Sequence, residues 1–344
     1  MNLRWDIFCR VIDNFGDIGV AWRLARDLAA RGETIRLWLD DASALAWMAA
    51  DGMPAGICIL PWEAIAAEQA VGDVVIETFG CELPTAFVAR MAAKPTPPRW
   101  INLEYLSAEP YVERSHGLAS PQRNGLSKHF FYPGFTPRTG GLLREPGLLS
   151  ELADFNADRW LGTLGIQRHP EERVVSLFAY ANPMLPALLN SLASEPTLLL
   201  VCPGPAQTPV ADRPGLRTHA LPYLSQPDFD RLLWASDLNL VRGEDSFVRA
   251  HWAGKPFVWQ IYPQADGAHE PKLEAFLNRF LAAADPGFAA QTRAIWRAWN
   301  GLAAWPTQLP DARTGLIHAQ AWRAELAGQA DLATQLLSFL AVPG

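Results

Sequence analysis

A chain of 344 residues, 49 % of them hydrophobic and 19 % charged, has material for two domains of ordinary size with a buried core in each. That balance excludes a disordered protein. The net charge of −7 excludes a general nucleic-acid binder, which needs a basic face to neutralise phosphates. No run reaches the ~18 uninterrupted apolar residues of a membrane span, so no membrane partner is expected.

The opening MNLRWDIFCRVIDNFGD lacks the charged-then-apolar layout of a signal peptide, and a cytoplasmic location is the expectation. Alternating β-rich and helical runs mark an α/β protein. In the first half the strand candidates are Trp5–Ile12, Thr34–Leu39, Gly56–Leu60, Asp73–Thr78 and Arg99–Tyr105, with helices at Val20–Ala30 and Pro84–Ala93. Near-continuous apolar runs such as DVVIETF suit strands covered on both faces of a parallel sheet. From about Leu106 to Glu145 the periodicity breaks into a Gly-, Pro- and aromatic-rich stretch, read as an ordered loop region for partner or substrate contact.

A second series follows, with strands at Val174–Tyr180, Thr197–Cys202, Leu216–Leu221, Leu238–Val241 and Phe257–Ile261. Helices are predicted at Met184–Ala193, Pro227–Ala235, Phe247–Ala253 and His269–Ala283, and the Ala- and Trp-rich part from about Phe288 is helical. The domain division is therefore 1–150 and 151–344, with the terminal helices free to pack back on the first domain. Most of the 14 Trp, including Trp22, Trp47, Trp234, Trp252 and Trp296, occupy core-like positions. Cys9, Cys58, Cys81 and Cys202 show no paired spacing and read as buried reduced thiols, while the seven His are dispersed without HExxH or a close pair. No metal site is indicated.

Two segments join a strand to a helix and carry groups fit for chemistry. In Val11-Ile-Asp-Asn-Phe-Gly-Asp-Ile-Gly-Val20, Gly16 and Gly19 permit a tight turn and close approach of a ligand, and Asp13 and Asp17 place two carboxylates in one loop. Such a pair suits proton removal from a nucleophile; an N-cap plus a turn aspartate explains it equally well. In Val241-Arg-Gly-Glu-Asp-Ser-Phe-Val-Arg249, Gly243, Asp245 and Ser246 offer a turn and helix-terminal amides to a diphosphate, with Arg242 and Glu244 alongside. A capped helix bearing surface charges is the plainer reading there. Ser176–Pro183 and Pro222–Asp228 also end strands, and their aromatics and Gln226 suit stacking on and hydrogen bonding to a base, or core packing.

Taken together, the blocks VIDNFGDIGVAWRLARDL, INLEYLSAE, HFFYPGFTPRTGGLLRE, SLFAYANP and LVRGEDSFVRAHWAGKPFVWQIYPQADGAHEPKLEAF resemble one family, the elongation factor P maturation arginine rhamnosyltransferases called EarP. The blocks run in order from residue 11 to about residue 276. The resemblance implies a GT-B fold of two facing Rossmann-like domains with the active site in the cleft, the first domain on the acceptor side and the second binding a dTDP-sugar. It implies an inverting transfer of rhamnose from dTDP-β-L-rhamnose to an arginine of elongation factor P, without a metal or other cofactor. Carried over by position, Asp17 matches the general base, Asp13 a second essential carboxylate and Glu244 a third acid near the sugar diphosphate. Phe178, Tyr180, Tyr223, Leu224 and Gln226 match positions that hold the thymidine, and Asp245 and Ser246 the diphosphate turn. Tyr223 is often Phe in relatives, a change that keeps stacking. Asn14, Phe15, Gly16, Arg242 and Gly243 complete the expected substrate-binding set. The competing readings are a GT-B transferase for a small-molecule or lipid-linked acceptor, and a non-catalytic nucleotide-sugar binding protein.

Overall fold

A computed structural model describes residues 2–12, 15–66, 70–204, 209–264 and 267–341. The chain divides into two units, one formed by residues 1–146 together with 328–344 and the other by residues 147–327. The second unit thus closes at Ala327, and the terminal helix belongs to the first.

The first unit runs β1 (Arg4–Cys9), α1 (Gly16–Ala30), β2 (Thr34–Leu39), α2 (Leu45–Met48), β3 (Ile57–Pro61), β4 (Val74–Thr78), α3 (Thr85–Ala93), β5 (Arg99–Leu103), α4 (Pro110–Ser115), β6 (Ala119–Pro121) and β7 (Ser127–Phe131). Among the described residues its sheet has the order β3-β2-β1-β4-β5-β7-β6, parallel except for β6 against β7. The chain winds outward through β2 and β3 on one side of β1, then crosses to β4 and β5 on the other. The switch point therefore lies between the ends of β1 and β4. Strands β1, β4 and β5 are almost wholly buried, which explains their unbroken apolar runs. Phe8, Trp38, Phe87 and Trp100 centre the cluster on one face, with Phe8 stacked on Trp38 at 5.6 Å.

Two differences from the sequence reading concern this unit. Strand β1 stops at Cys9 and helix α1 begins at Gly16, four residues before Val20, because the apolar Val11-Ile12 pair leaves the sheet: Ile12 is 64 % exposed. The stretch 106–145 is not simply a loop. It contains α4, and it adds β6 and β7 to the sheet by long-range pairing of β7 with β5.

The second unit contains α5 (Leu148–Ala153), α6 (Ala157–Thr163), β8 (Arg173–Leu177), α7 (Leu185–Leu192), β9 (Thr197–Val201), β10 (Leu216–Ala220), α8 (Gln226–Ala235), β11 (Leu238–Arg242), α9 (Asp245–Ala253), β12 (Phe257–Gln260), α10 (His269–Phe280), α11 (Pro286–Trp299) and α12 (Ala312–Ala327). Its five described strands form a parallel sheet of order β10-β9-β8-β11-β12, with the switch point between β8 and β11. On one side Phe247, Phe257, Phe276, Trp296 and Trp322 build an aromatic core around the fully buried His251. Burial pushes the His251 imidazole down to about 3, so the ring is neutral, and its Nδ1 accepts the Trp322 indole N–H at 3.2 Å.

Helix α13 (Leu332–Ala341) returns to the first unit. Arg31 at the end of α1 pairs with Asp331 at 2.8 Å, and the Leu332 amide donates to the Leu142 carbonyl at 3.0 Å. The core reading of the tryptophans holds for Trp22, Trp234, Trp252 and Trp296, whereas Trp47 is half-buried against Phe15. Cys9, Cys81 and Cys202 are buried, but Cys58 is exposed, since β3 is the edge strand and its alternate side chains face solvent.

Candidate active site

Ligands of open parallel sheets bind beyond the carboxyl ends of the strands, at the switch point. In the first unit that place is occupied by Val11–Ile12 and Phe15–Val20, the described parts of the Val11–Val20 segment. Asp13 and Asn14 lie outside the described residues. Phe15 precedes the helix, and its carbonyl accepts the Gly19 amide at 3.0 Å, the first helical bond. Gly16 opens α1, so Asp17 sits in the helix's first turn, where the dipole favours a negative charge. Its side chain is buried, 3 % exposed. Oδ2 accepts the Ile12 backbone N–H at 2.8 Å, and Oδ1 accepts the Tyr105 hydroxyl at 3.2 Å.

Tyr105 lies two residues past β5, and its ring stacks on Phe79, one residue past β4, with centroids 4.2 Å apart and planes 10° from parallel. Phe79 has φ +56°, a left-handed conformation rare for a bulky side chain. The contact with Asp17 reaches across β4 from one strand end to another, so neither local sequence points to it. The available signals were their position at the ends of two buried strands and, for Tyr105, its place in the INLEYLSAE block.

In the second unit the switch point brings together Phe178, Tyr180 and Arg242. The Arg242 guanidinium carbon lies 4.4 Å from the Phe178 ring centroid and 4.5 Å from that of Tyr180, and Nη1 donates to the Ala179 carbonyl at 3.2 Å. A planar cation against two rings fixes both of them. Gly243 follows with φ +64°, the left-handed turn its lack of a side chain permits. Its carbonyl accepts the Trp259 indole N–H at 2.7 Å. Glu244 is half-buried just before α9, and Asp245 opens the helix. The Ser246 hydroxyl closes the turn on Arg242: it accepts the Arg242 amide at 3.1 Å and donates to the Arg242 carbonyl. At this position the start of α9 presents the positive end of the helix dipole, which favours an anionic ligand.

The loop after β10 supplies the remaining expected residues. Tyr223 is 46 % exposed, Leu224 packs with Phe178 and Phe229 on the core, and Gln226 is buried at the start of α8. Ser225 caps that helix by accepting the Asp228 amide at 3.2 Å. Gln260, at the end of β12, escaped the sequence reading; its Oε1 accepts the Tyr180 amide at 2.9 Å and so holds the aromatic loop. Among the described residues no three His, Cys, Asp or Glu side chains form a group that could hold a metal ion, and no helix is long and apolar enough to cross a membrane.

Comparison with known proteins gives this geometry its context. The profile of the family described as elongation factor P (EF-P) rhamnosyltransferase EarP matches residues 5–341. The chain belongs to the EarP family. A protein-arginine rhamnosyltransferase of Pseudomonas aeruginosa is 46 % identical, the match covering 98 % of each chain. A structure solved for EarP-mediated arginine glycosylation of translation elongation factor EF-P superposes with a TM-score of 0.67 at 34 % identity, over 98 % of this chain and 99 % of that one. The calicheamicin glycosyltransferase CalG4 shares the fold, at TM-score 0.51 and 15 % identity over 99 % of both chains. The fold is thus that of the GT-B glycosyltransferases, and the EarP membership makes the chain a glycosyltransferase of the protein-arginine rhamnosyltransferase kind.

Proposed function

We propose that this enzyme moves a rhamnosyl unit from dTDP-β-L-rhamnose to an arginine side chain of elongation factor P, with inversion at the anomeric carbon, in the cytoplasm and without a metal. The observation that carries the reading is the buried Asp17 carboxylate at the switch point of the first sheet, held through both oxygens in a chain of the EarP family. The named relatives support the rhamnosyl group and the arginine acceptor, and the EF-P-directed structure supports elongation factor P as the protein that carries it.

In this reading the acceptor guanidinium arrives charged, since arginine keeps its proton far above neutral pH. Asp17 orients it by charge-assisted hydrogen bonding and takes one proton as the nitrogen bonds to the anomeric carbon. The bond from that carbon to the diphosphate oxygen breaks, and its electron pair leaves with dTDP. Asp13 acts as a second carboxylate beside Asp17, and Glu244 lies near the sugar diphosphate. The amides at the start of α9, around Asp245 and Ser246, meet the diphosphate charge. Phe178, Tyr180, Tyr223, Leu224 and Gln226 hold the thymidine, with an aromatic ring against the base. The region 106–145, including α4 and β7, is the proposed acceptor-contacting surface.

Intact-mass measurement of elongation factor P after incubation with dTDP-β-L-rhamnose tests the reading, with wild-type enzyme beside Asp17→Asn. A gain of one deoxyhexose with wild type alone is expected. No gain with a folded wild-type enzyme overturns the protein acceptor; equal gain with both overturns the role of Asp17.

A further inference from the structure

We infer that Tyr105 is a positioning residue for the Asp17 carboxylate, braced by Phe79, so that a strained aromatic pair at the ends of β4 and β5 sets the aim of the base. The inference rests on the proposed role of Asp17 and adds to it the device that holds the group.

A carboxylate on the first turn of a helix turns about χ1 and χ2, and one hydrogen bond leaves the second oxygen to swing. The Ile12 amide fixes Oδ2 from the β1 side, at 2.8 Å. The Tyr105 hydroxyl fixes Oδ1 from beyond β5, at 3.2 Å. With donors on both oxygens the plane of the carboxylate is defined. A base must be held to fractions of an ångström for a proton to move as the new bond forms, and a misplacement of about 1 Å costs about a hundredfold in rate.

The phenol is itself held. Its ring lies flat on Phe79, and that stack is fixed by the backbone on both sides of the loop. The Phe79 amide donates to the Leu103 carbonyl at 2.7 Å, and the next amide, Gly80, donates to the Asn102 side chain at 3.1 Å. Asn102 in turn donates to Glu104 at 2.6 Å. Phe79 keeps its left-handed φ of +56° within this frame, a conformation that is costly for a residue of its size and that clusters at functional sites. Fold alone does not call for a phenylalanine there: a glycine would make the same turn without the cost. What the phenylalanine adds is the ring beneath Tyr105.

Tyr105→Phe deletes the hydroxyl and leaves the stack. With elongation factor P and dTDP-β-L-rhamnose as substrates, kcat is expected to fall roughly ten- to hundredfold while the donor KM and the thermal midpoint stay at wild-type values. Phe79→Leu, which keeps the hydroxyl and removes its brace, is expected to lose less of kcat, again with unchanged donor KM. A Tyr105→Phe enzyme with wild-type kcat overturns the inference, and so does one whose donor KM and thermal midpoint deteriorate together with kcat. Asp17→Asn is measured alongside. If it keeps wild-type kcat, the role of Asp17 fails and any loss in Tyr105→Phe has another cause. If it is inactive while Tyr105→Phe is not impaired, only the positioning role fails.

Discussion

Arg249 grips Asp230 through two parallel hydrogen bonds, Nε to Oδ1 at 2.8 Å and Nη2 to Oδ2 at 2.7 Å, with both side chains buried. The pair ties α8 to α9, the helices that follow the proposed thymidine loop and the proposed diphosphate turn. Removing one partner strands a buried charge, so Asp230→Ala is expected to destabilise the protein by about 3–5 kcal/mol. Replacing both with apolar residues of similar volume is expected to restore most of that loss. Urea unfolding of the single and double variants checks both outcomes.

Arg242 lies against the rings of both Phe178 and Tyr180. A lysine keeps the charge but not the plane that stacks on the two rings. Loss of one to two such contacts is worth about 1–2 kcal/mol, so Arg242→Lys is expected to weaken dTDP binding about tenfold. Calorimetric titration with dTDP measures this; unchanged affinity would mean that the rings keep their places without the guanidinium.

His251 makes stability depend on pH in a defined window. Its imidazole titrates near 3 in the fold, pushed down by burial, against about 6.5 when unfolded. Below the unfolded value the unfolded chain binds a proton that the native state does not, so this contribution to stability is complete above that value and lost as pH falls. The expected loss is roughly 1.4 kcal/mol per pH unit from this one group. Denaturant midpoints at pH 7 and pH 5.5 for wild type and His251→Gln test the assignment, the variant showing the shallower dependence.

The four cysteines separate cleanly by environment. Burial pushes the thiols of Cys81 and Cys202 up to about 12 and that of Cys9 upward as well, whereas Cys58 is exposed on edge strand β3. Thiolate is the reactive form. A maleimide is therefore expected to add once to the native protein, at Cys58, and four times in denaturant, as read by intact mass and peptide mapping.

Strand β2 was legible to the residue, because TIRLWL is bounded by the Gly32-Glu33 turn and its β-branched and aromatic residues leave no other reading. The segments following β1, β8, β10 and β11 were legible as candidate sites for a related reason: in a parallel sheet every strand ends on the ligand side. Helix α1 was read four residues short because Gly16 and Asp17 favour turns locally, while packing of Ile18 and Trp22 into the core carries the helix through them. Strands β6 and β7 escaped because β7 joins the sheet by pairing with the distant β5, and β6, its hairpin partner, spans three residues. The Cys58 context looked like a buried strand, and only the sheet order reveals that β3 is an edge. The bond between Tyr105 and Asp17 spans 88 residues, and nothing in either local sequence announces it.

The chain passes from the first unit to the second at residues 146–147 and back again at 327–328. Leu332 and Phe339 of α13 then engage Leu142 and Arg99, and Asp331 engages Arg31. On the ribosome, where the chain emerges from its N-terminus, the second unit has all its residues before the first does. The unit carrying Asp17 is finished only when the last helix emerges, so a chain broken off before residue 328 leaves its damage at the opposite end of the sequence, beside α1 and β5.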